Sequence, residues 1–407
     1  MMPTGYVGDT KRFFEGSHRA RPPIETLEQI LPIKHQFGIT RLANVTGLDR
    51  IGLPVVLATR PNSRSVAVSQ GKGTNLAAAK VCALMEGIEL WHAENLIRPL
   101  IFASHSELGQ HYSAVNVERL PRVLRSRYSD NLRLHWIEGT DLVSGKHLHV
   151  PYQMVHANYT HPLEPGYGCF ATSTNGLASG NNPLEAVCHA IGEVIERDAV
   201  TLWHHLPAVR RAATMIDPMT IDCAICNDIL GVIKKARLEV ALWDATSDVG
   251  VATFYFLITD AADPQGHMGL GSATHTDRTV ALTKALTEAV QTRMNYITGA
   301  RDDLALHEFT TRGRADKAQQ AQALLRKAIP LRDFSAVPSR QTRTFKEDLD
   351  LLVDRLTAVG IEEILSVDLS SGIVNISVVR VVIPGLEAPH DDDTFVPGPR
   401  ALAAAAQ

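Results

Sequence analysis

An α+β fold built from repeated αβ units is what this 407-residue sequence predicts, and three observations predict it. Apolar, strand-like runs (GITRLANV, LPVVLATR) lead into a long helical pattern. That helical pattern, opened by a turn, recurs further along the chain, once closely and once more weakly. The C-terminal third then adds one amphipathic helix and two more strand-like runs. Apolar residues make up 45% and charged residues 21%, the balance of a globular enzyme, and the length suffices for one large domain or two to three lobes.

In order, residues 1–35 read as a polar arm: they lack the apolar core and small-residue cleavage site of a secretion signal. Residues 36–70 read as strands, the two apolar runs separated by the turn TGLDRIG. GKGTNLAAAKVCALMEGIELWHAENL follows, with Ala78, Val81, Cys82, Met85, Ile88 and Leu96 at helical spacing. SGNNPLEAVCHAIGEVIERDAV repeats it: Gly73, Asn75, Ala79, Ala83, Glu86 and Glu89 recur as Gly180, Asn182, Ala186, Ala190, Glu193 and Glu196, each 107 residues on. A weaker third copy, HTDRTVALTKALTEAVQTR, places Ala281, Ala285, Glu288 and Gln291 in the same series, 95 residues further. Self-similarity over such distances implies packed αβ units rather than a solenoid, whose repeats are far shorter. Residues 311–345 are charged and alanine-rich, as in surface helices and loops. FKEDLDLLVDRLTAVG predicts a helix, IEEILSVDL and GIVNISVVRVVI predict strands, and residues 388–407 read as a polar tail. The organisation expected is therefore an arm (1–35), one domain (36–387) and a tail (388–407).

Several function classes are disfavoured. A formal net charge of −4 predicts no nucleic-acid surface. No apolar run approaches the roughly 18–20 residues needed to span a bilayer. Five cysteines, an odd and sparse count, point to reduced thiols and a cytoplasmic protein. Cys223 and Cys226 form one C-x-x-C without the second pair of ligands that structural zinc needs, so they read as half-buried helix residues. No G-x-S-x-G, Walker loop or G-x-G-x-x-G is present, and the 17 histidines are scattered.

The chemistry-bearing signal is the repeated Glu-x-x-Glu. On a helix it sets two carboxylates one turn apart, with Cβ atoms about 5–6 Å apart. Two such helices facing each other would gather four carboxylates, which repel unless cations neutralise them. Magnesium suits hard oxygen ligands and pairs with phosphate oxygens. The contexts ALMEGIELW and IGEVIERDAV are apolar, unlike those of solvated helix faces. The turns GKG (71–73) and TNGLASGNN (174–182) offer backbone N–H groups, the first beside Lys72 and the second before a helix N-terminus. Arg197, Gln291 and Arg293 stand near the acidic pairs in sequence, as phosphate-binding arginines would.

RLANVTGLDRIGLPVV, the GKG turn with its Glu-x-x-Glu helix, TNGLASGN with EAVCHAIGEVIERDA, EAVQTRMNYITGARDDL and VVRVVIPGLE together resemble the YcaO family, from about residue 36 to 387. TGLDRIGLPV and ITGARDDL resemble the branch that works with TfuA-type partners. The resemblance implies a YcaO-type fold with a central ATP site between the helices bearing the acidic pairs, without a Walker loop. It implies Glu86, Glu89, Glu193 and Glu196 as magnesium-linked carboxylates. Lys72, Cys82, Asn181, Glu185, Arg197, Gln291 and Arg293 fall in the nucleotide site, Gln291 and Arg293 being the catalytic candidates. Cys82 and Ala178 stand where relatives carry serine. The tail VPGPRALAAAAQ lacks the alternating prolines of azoline-forming members, which favours the TfuA-linked branch. The implied activity is ATP- and Mg2+-dependent activation of a peptide backbone amide, thioamidation first, with azoline formation or a non-catalytic peptide-presenting scaffold as rivals. A peptide substrate, a TfuA-type partner and a sulfide source are the expected associates, with a homodimer left open.

Overall fold

The computed structural model describes residues 10–407 except 264, 326–331 and 392; residues 1–9 of the expected arm lie outside it. The chain divides into two compact units. One comprises Glu89–His205 and Thr342–Gln407, with Thr10 and Lys11; the other comprises Arg12–Ile88 and Leu206–Gln341. The division falls inside the helix Leu76–Glu94, so a single helix contributes residues to both. Each unit is built from non-contiguous segments, an arrangement that composition and linkers do not announce.

The second unit holds two three-stranded antiparallel sheets. One is Arg41–Asn44, Val55–Thr59 and Val68–Lys72; the other is Glu239–Asp244, Thr253–Thr259 and Gly269–Thr274. Helix Arg278–Thr298 lies on the latter sheet, and helix Ala224–Lys235 packs beside it. Phe254, Phe256 and Ile258 of the central strand meet Ala281, Leu282, Ala285, Leu286 and Ala289 of the long helix in the core. Cys226 belongs to this core and is fully buried rather than half-buried; both it and Cys223 are free thiols.

The first unit is built on a six-stranded antiparallel sheet. Its path runs Leu100–Ala103, Leu134–Asp141, Leu365–Asp368, Ser377–Val382, Leu177–Gly180, with His147–Pro151 paired to Leu134–Asp141. Helix Pro183–His205 packs on Leu177–Gly180 and Ser377–Val382, and helices Phe345–Ala358 and Pro399–Ala405 pack on it in turn. Two departures from expectation lie at the ends. Pro23–Ile30, inside the expected arm, is a helix with Leu27 and Ile30 buried. The expected polar tail contains the helix Pro399–Ala405, whose Ala401 and Ala404 are buried and whose Arg400 grips Asp198 through Nε and Nη2, both at 2.9 Å. Small alanines let that helix sit close, which an apolar-periodicity reading undervalues.

The three sequence repeats are three strand-then-helix units: Val68–Lys72 with Leu76–Glu94, Leu177–Gly180 with Pro183–His205, and Gly269–Thr274 with Arg278–Thr298. The caps repeat as well. Asn75 Oδ1 accepts from Ala78 N at 2.9 Å, Asn182 Oδ1 from Glu185 N at 2.8 Å, and Asp277 Oδ1 from Thr279 N at 2.8 Å. These residues satisfy N–H groups that a helix start leaves orphaned.

Candidate active site

Glu86 and Glu89 occupy positions i and i+3 of the first repeat helix, so their side chains leave the same face. Each is held by a strand. A Cβ on Gly71 would lie 2.0 Å from Ala79 O and 2.2 Å from Ala83 N, so only glycine lets strand Val68–Lys72 press against this helix. That approach sets the N–H of the preceding Gln70 against Glu86 Oε2 at 3.1 Å. Burial pushes the Glu86 carboxyl above its ordinary range; the charges of Arg301 and Lys72 and the Gln70 N–H offset this only in part, and Glu288 adds to it. Glu89 Oε1 accepts from Ser179 N at 2.8 Å and Ser179 Oγ at 2.6 Å, Ser179 lying on the strand Leu177–Gly180.

In the second copy, Glu193 is half-buried and Glu196 buried. Asn181, just before the cap, donates its Nδ2 to both oxygens of Glu185 at 3.2 Å, and both residues are buried. Arg197 follows Glu196 and is half-buried. Asp198, one residue on, is fully buried and matched by Arg400 and by the Glu387 N–H.

In the third copy, Glu288 accepts from Lys72 Nζ at 2.7 Å, so Lys72 of the GKG turn meets the acidic position of the third helix. Gln291 Nε2 donates to Gln70 Oε1 at 3.4 Å. Arg293, by contrast, is buried in an ion pair: Nε reaches Asp49 Oδ2 at 3.0 Å, and Nη1 donates to His267 O. Its charge is matched within the TGLDRIG turn that carries Asp49. Cys82 is half-buried; burial pushes its thiol up, against the Lys72 charge and backbone N–H.

One residue escaped the sequence reading. Arg380, in the strand Ser377–Val382, is buried, and the charge of Glu193 acts on it. The signal was an arginine inside the apolar run SVVRVVI.

Among the described residues no three His, Cys, Asp or Glu side chains converge on a metal position by themselves. Magnesium commonly takes one or two carboxylates and completes its shell with water and phosphate oxygens. The residues present fit such a ligand. A divalent cation would favour the ionised form of Glu86 that burial opposes. No helix among the described residues is long and apolar enough to cross a membrane.

Comparison with known proteins gives the following. The model of the YcaO family, described as a cyclodehydratase that is ATP- and Mg2+-binding, matches residues 70–387. A protein described as lying in the tfuA 3′ region of Rhizobium leguminosarum bv. trifolii is 34% identical over 411 residues, covering 97% of this chain and 96% of its own length. A protein of Methanothermobacter thermautotrophicus is 34% identical over 373 residues, covering 90% and 94%. Among solved structures, YcaO from Methanopyrus kandleri bound with AMPPCP and Mg2+ superposes with a TM-score of 0.75 at 21% identity, covering 96% of this chain and 98% of that one. A heterocyclase in complex with substrate and cofactor gives 0.76 at 20% identity, covering 95% of this chain, which spans 54% of that longer protein.

Proposed function

The chain belongs to the YcaO family of ATP- and Mg2+-binding proteins, and from that membership we propose that it activates a peptide backbone amide by phosphorylating its oxygen, in the service of thioamidation with a TfuA-type partner. The observation that carries the proposal is the acidic pair repeated at equivalent helical positions, with Glu86 and Glu89 aimed by strand N–H groups. The relative in the tfuA 3′ region supports the choice of thioamidation within the class.

In this reading Glu86, Glu89, Glu193 and Glu196 hold magnesium, and Asn181, Glu185, Lys72, Arg197 and Gln291 position nucleotide, with Cys82 beside Lys72. Mg2+ supplies charge neutralisation on the phosphates of ATP. The reaction adds hydrosulfide to the amide carbon. The resulting oxyanion takes the γ-phosphoryl group, breaking its bond to ADP, and loss of phosphate with a proton leaves the C=S bond. The protein's part is positioning and electrostatics. Gln70 N–H and Ser179 fix carboxylate orientation before any ligand arrives. Arg293, already paired with Asp49, anchors the TGLDRIG turn beside the third helix and acts as a positioning residue.

The test is ATP turnover by the full chain with Mg2+, a TfuA-type protein, sulfide and candidate peptides, the products read by mass spectrometry. Replacement of one oxygen by sulfur is expected. Loss of one water instead would make the chain an azoline-forming cyclodehydratase. No ATP turnover and no mass change with any peptide would make it a scaffold.

A further inference from the structure

The strand Ser377–Val382 is apolar and almost wholly buried, yet it carries Arg380, only 4% exposed. Arg380 Nη2 donates to Ser173 O at 2.6 Å. Its Nε and Nη1 find no hydrogen-bond partner among the described residues. One neighbour shares this character. His156 is 2% exposed, and its Nδ1 accepts from Asn158 N at 3.0 Å, which in the neutral ring puts the proton on Nε2. That Nε2 also lacks a partner among the described residues. The ring stays neutral because burial, and secondarily the Arg380 charge, bring its pKa down to about 4 against the pull of Glu164. The Tyr159 phenol, its pKa raised chiefly by burial, lies near Arg380.

The open nitrogens are therefore donors, on one charged and one neutral side chain. Buried donors without partners call for a ligand that accepts, and a guanidinium among them calls for an anion. A metal cation is excluded by the same set. Glu193, a magnesium ligand in the reading above, is the carboxylate whose charge acts on Arg380. An anion accepted beside it has to arrive with a cation, as magnesium-bound phosphate does.

We propose that Arg380 and His156 bind the phosphate group that is transferred, either as the terminal phosphate of ATP or as the inorganic phosphate released. This rests on the ATP reading above and adds to it a buried phosphate contact on a strand outside the three repeats.

The experiment is calorimetric titration of the full chain, wild type and Arg380→Met, with three magnesium-containing ligands: ADP, a non-hydrolysable ATP analogue, and inorganic phosphate in the presence of ADP. Arg380→Met should weaken one of the latter two by about 10- to 100-fold, the loss of a charge-assisted hydrogen bond, and leave ADP unchanged. Loss on the analogue identifies the terminal phosphate; loss on phosphate alone identifies the product. Arg380→Lys should recover part of the loss. His156→Gln, which keeps an acceptor for Asn158, should weaken the same ligand to a smaller degree and serves if Arg380→Met melts early. Unchanged affinities in the folded variants would mean that water satisfies these donors, and the assignment falls while the ATP reading stands. An equal loss for all three ligands would make Arg380 a structural residue and also overturns it. A wild type that binds no nucleotide would take down the ATP reading and this assignment together.

Discussion

Glu193→Gln and Glu196→Gln each keep the side chain's shape and remove one negative charge from the second acidic pair. If these carboxylates hold magnesium at a phosphoryl-transfer site, each variant loses about 10²–10³ in ATP-dependent peptide turnover, with the loss eased at high magnesium. Turnover measured across magnesium concentrations checks this, with thermal melting to confirm folding. Wild-type turnover in both folded variants would end the assignment. Glu288→Gln should lose less. The third helix has Gln291 where the others have a second carboxylate, and the change acts through Lys72, freed from its ion pair. The acidic positions were legible because the chain states them twice, 107 residues apart, in apolar surroundings. Their partners were not. Gln70 and Ser179 serve Glu86 and Glu89 through backbone N–H groups, which every residue but proline possesses and no spacing advertises. Asp49, which occupies Arg293, lies 244 residues away in a turn that reads as a turn and nothing more.

At the scale of the element, long helices and apolar strands announced themselves, as periodicity arguments lead one to expect. GKGTNLAAAKVCALMEGIELWHAENL became Leu76–Glu94, and FKEDLDLLVDRLTAVG became Phe345–Ala358. The strands Glu239–Asp244, Thr253–Thr259 and Gly269–Thr274 were passed over: buried on both faces, they lack the alternation that marks a half-exposed strand. The role of strand glycines was equally hidden. Gly71→Ala should overpack the strand–helix contact, costing about 1–3 kcal/mol and displacing the Gln70 N–H from Glu86. A lowered melting temperature together with a raised magnesium requirement is the expected pair of readings, and a variant unchanged in both contradicts the contact. Asp141 provides an element-level dependence on pH. Burial opposes its charge, but the Ser144 hydroxyl and the N–H groups of Ile364, Ser144 and Val143 outweigh it, holding the carboxyl below its ordinary range. A depressed folded pKa contributes stability that is present above the unfolded value and is lost as pH falls through the folded one. Asp141→Asn should therefore flatten the acid limb of the stability profile, measured by denaturant midpoints from neutral pH downward. A parallel profile would show that the charge is not used.

For the whole molecule, the expected behaviour is dependence on company. The chain alone, with ATP, Mg2+ and sulfide, should modify peptide weakly or not at all, and a TfuA-type protein should restore turnover. Full thioamidation without a partner would remove that dependence while leaving the chemistry intact. The end of the chain bears on stability in another way. Deleting Pro399–Gln407 strips Arg400 from Asp198 and leaves a buried carboxylate without its counter-charge, a change that typically costs about 3–5 kcal/mol and should appear as a large drop in melting temperature. The three helix caps carry a last consequence. Asn75 to Glu86, Asn182 to Glu193 and Asp277 to Glu288 are the same eleven residues, about three helical turns, so cap and carboxylate keep one rotational phase in every copy. The link into the cap is held between the first two copies as well: Gly73 to Asn75 and Gly180 to Asn182 are both two residues. The cap-to-carboxylate stretch is a ruler common to all three. A residue inserted into it swings its glutamate about 100° around the helix axis. Inherited or engineered length changes should therefore be eliminated between Asn75 and Glu86, between Asn182 and Glu193, and between Asp277 and Glu288.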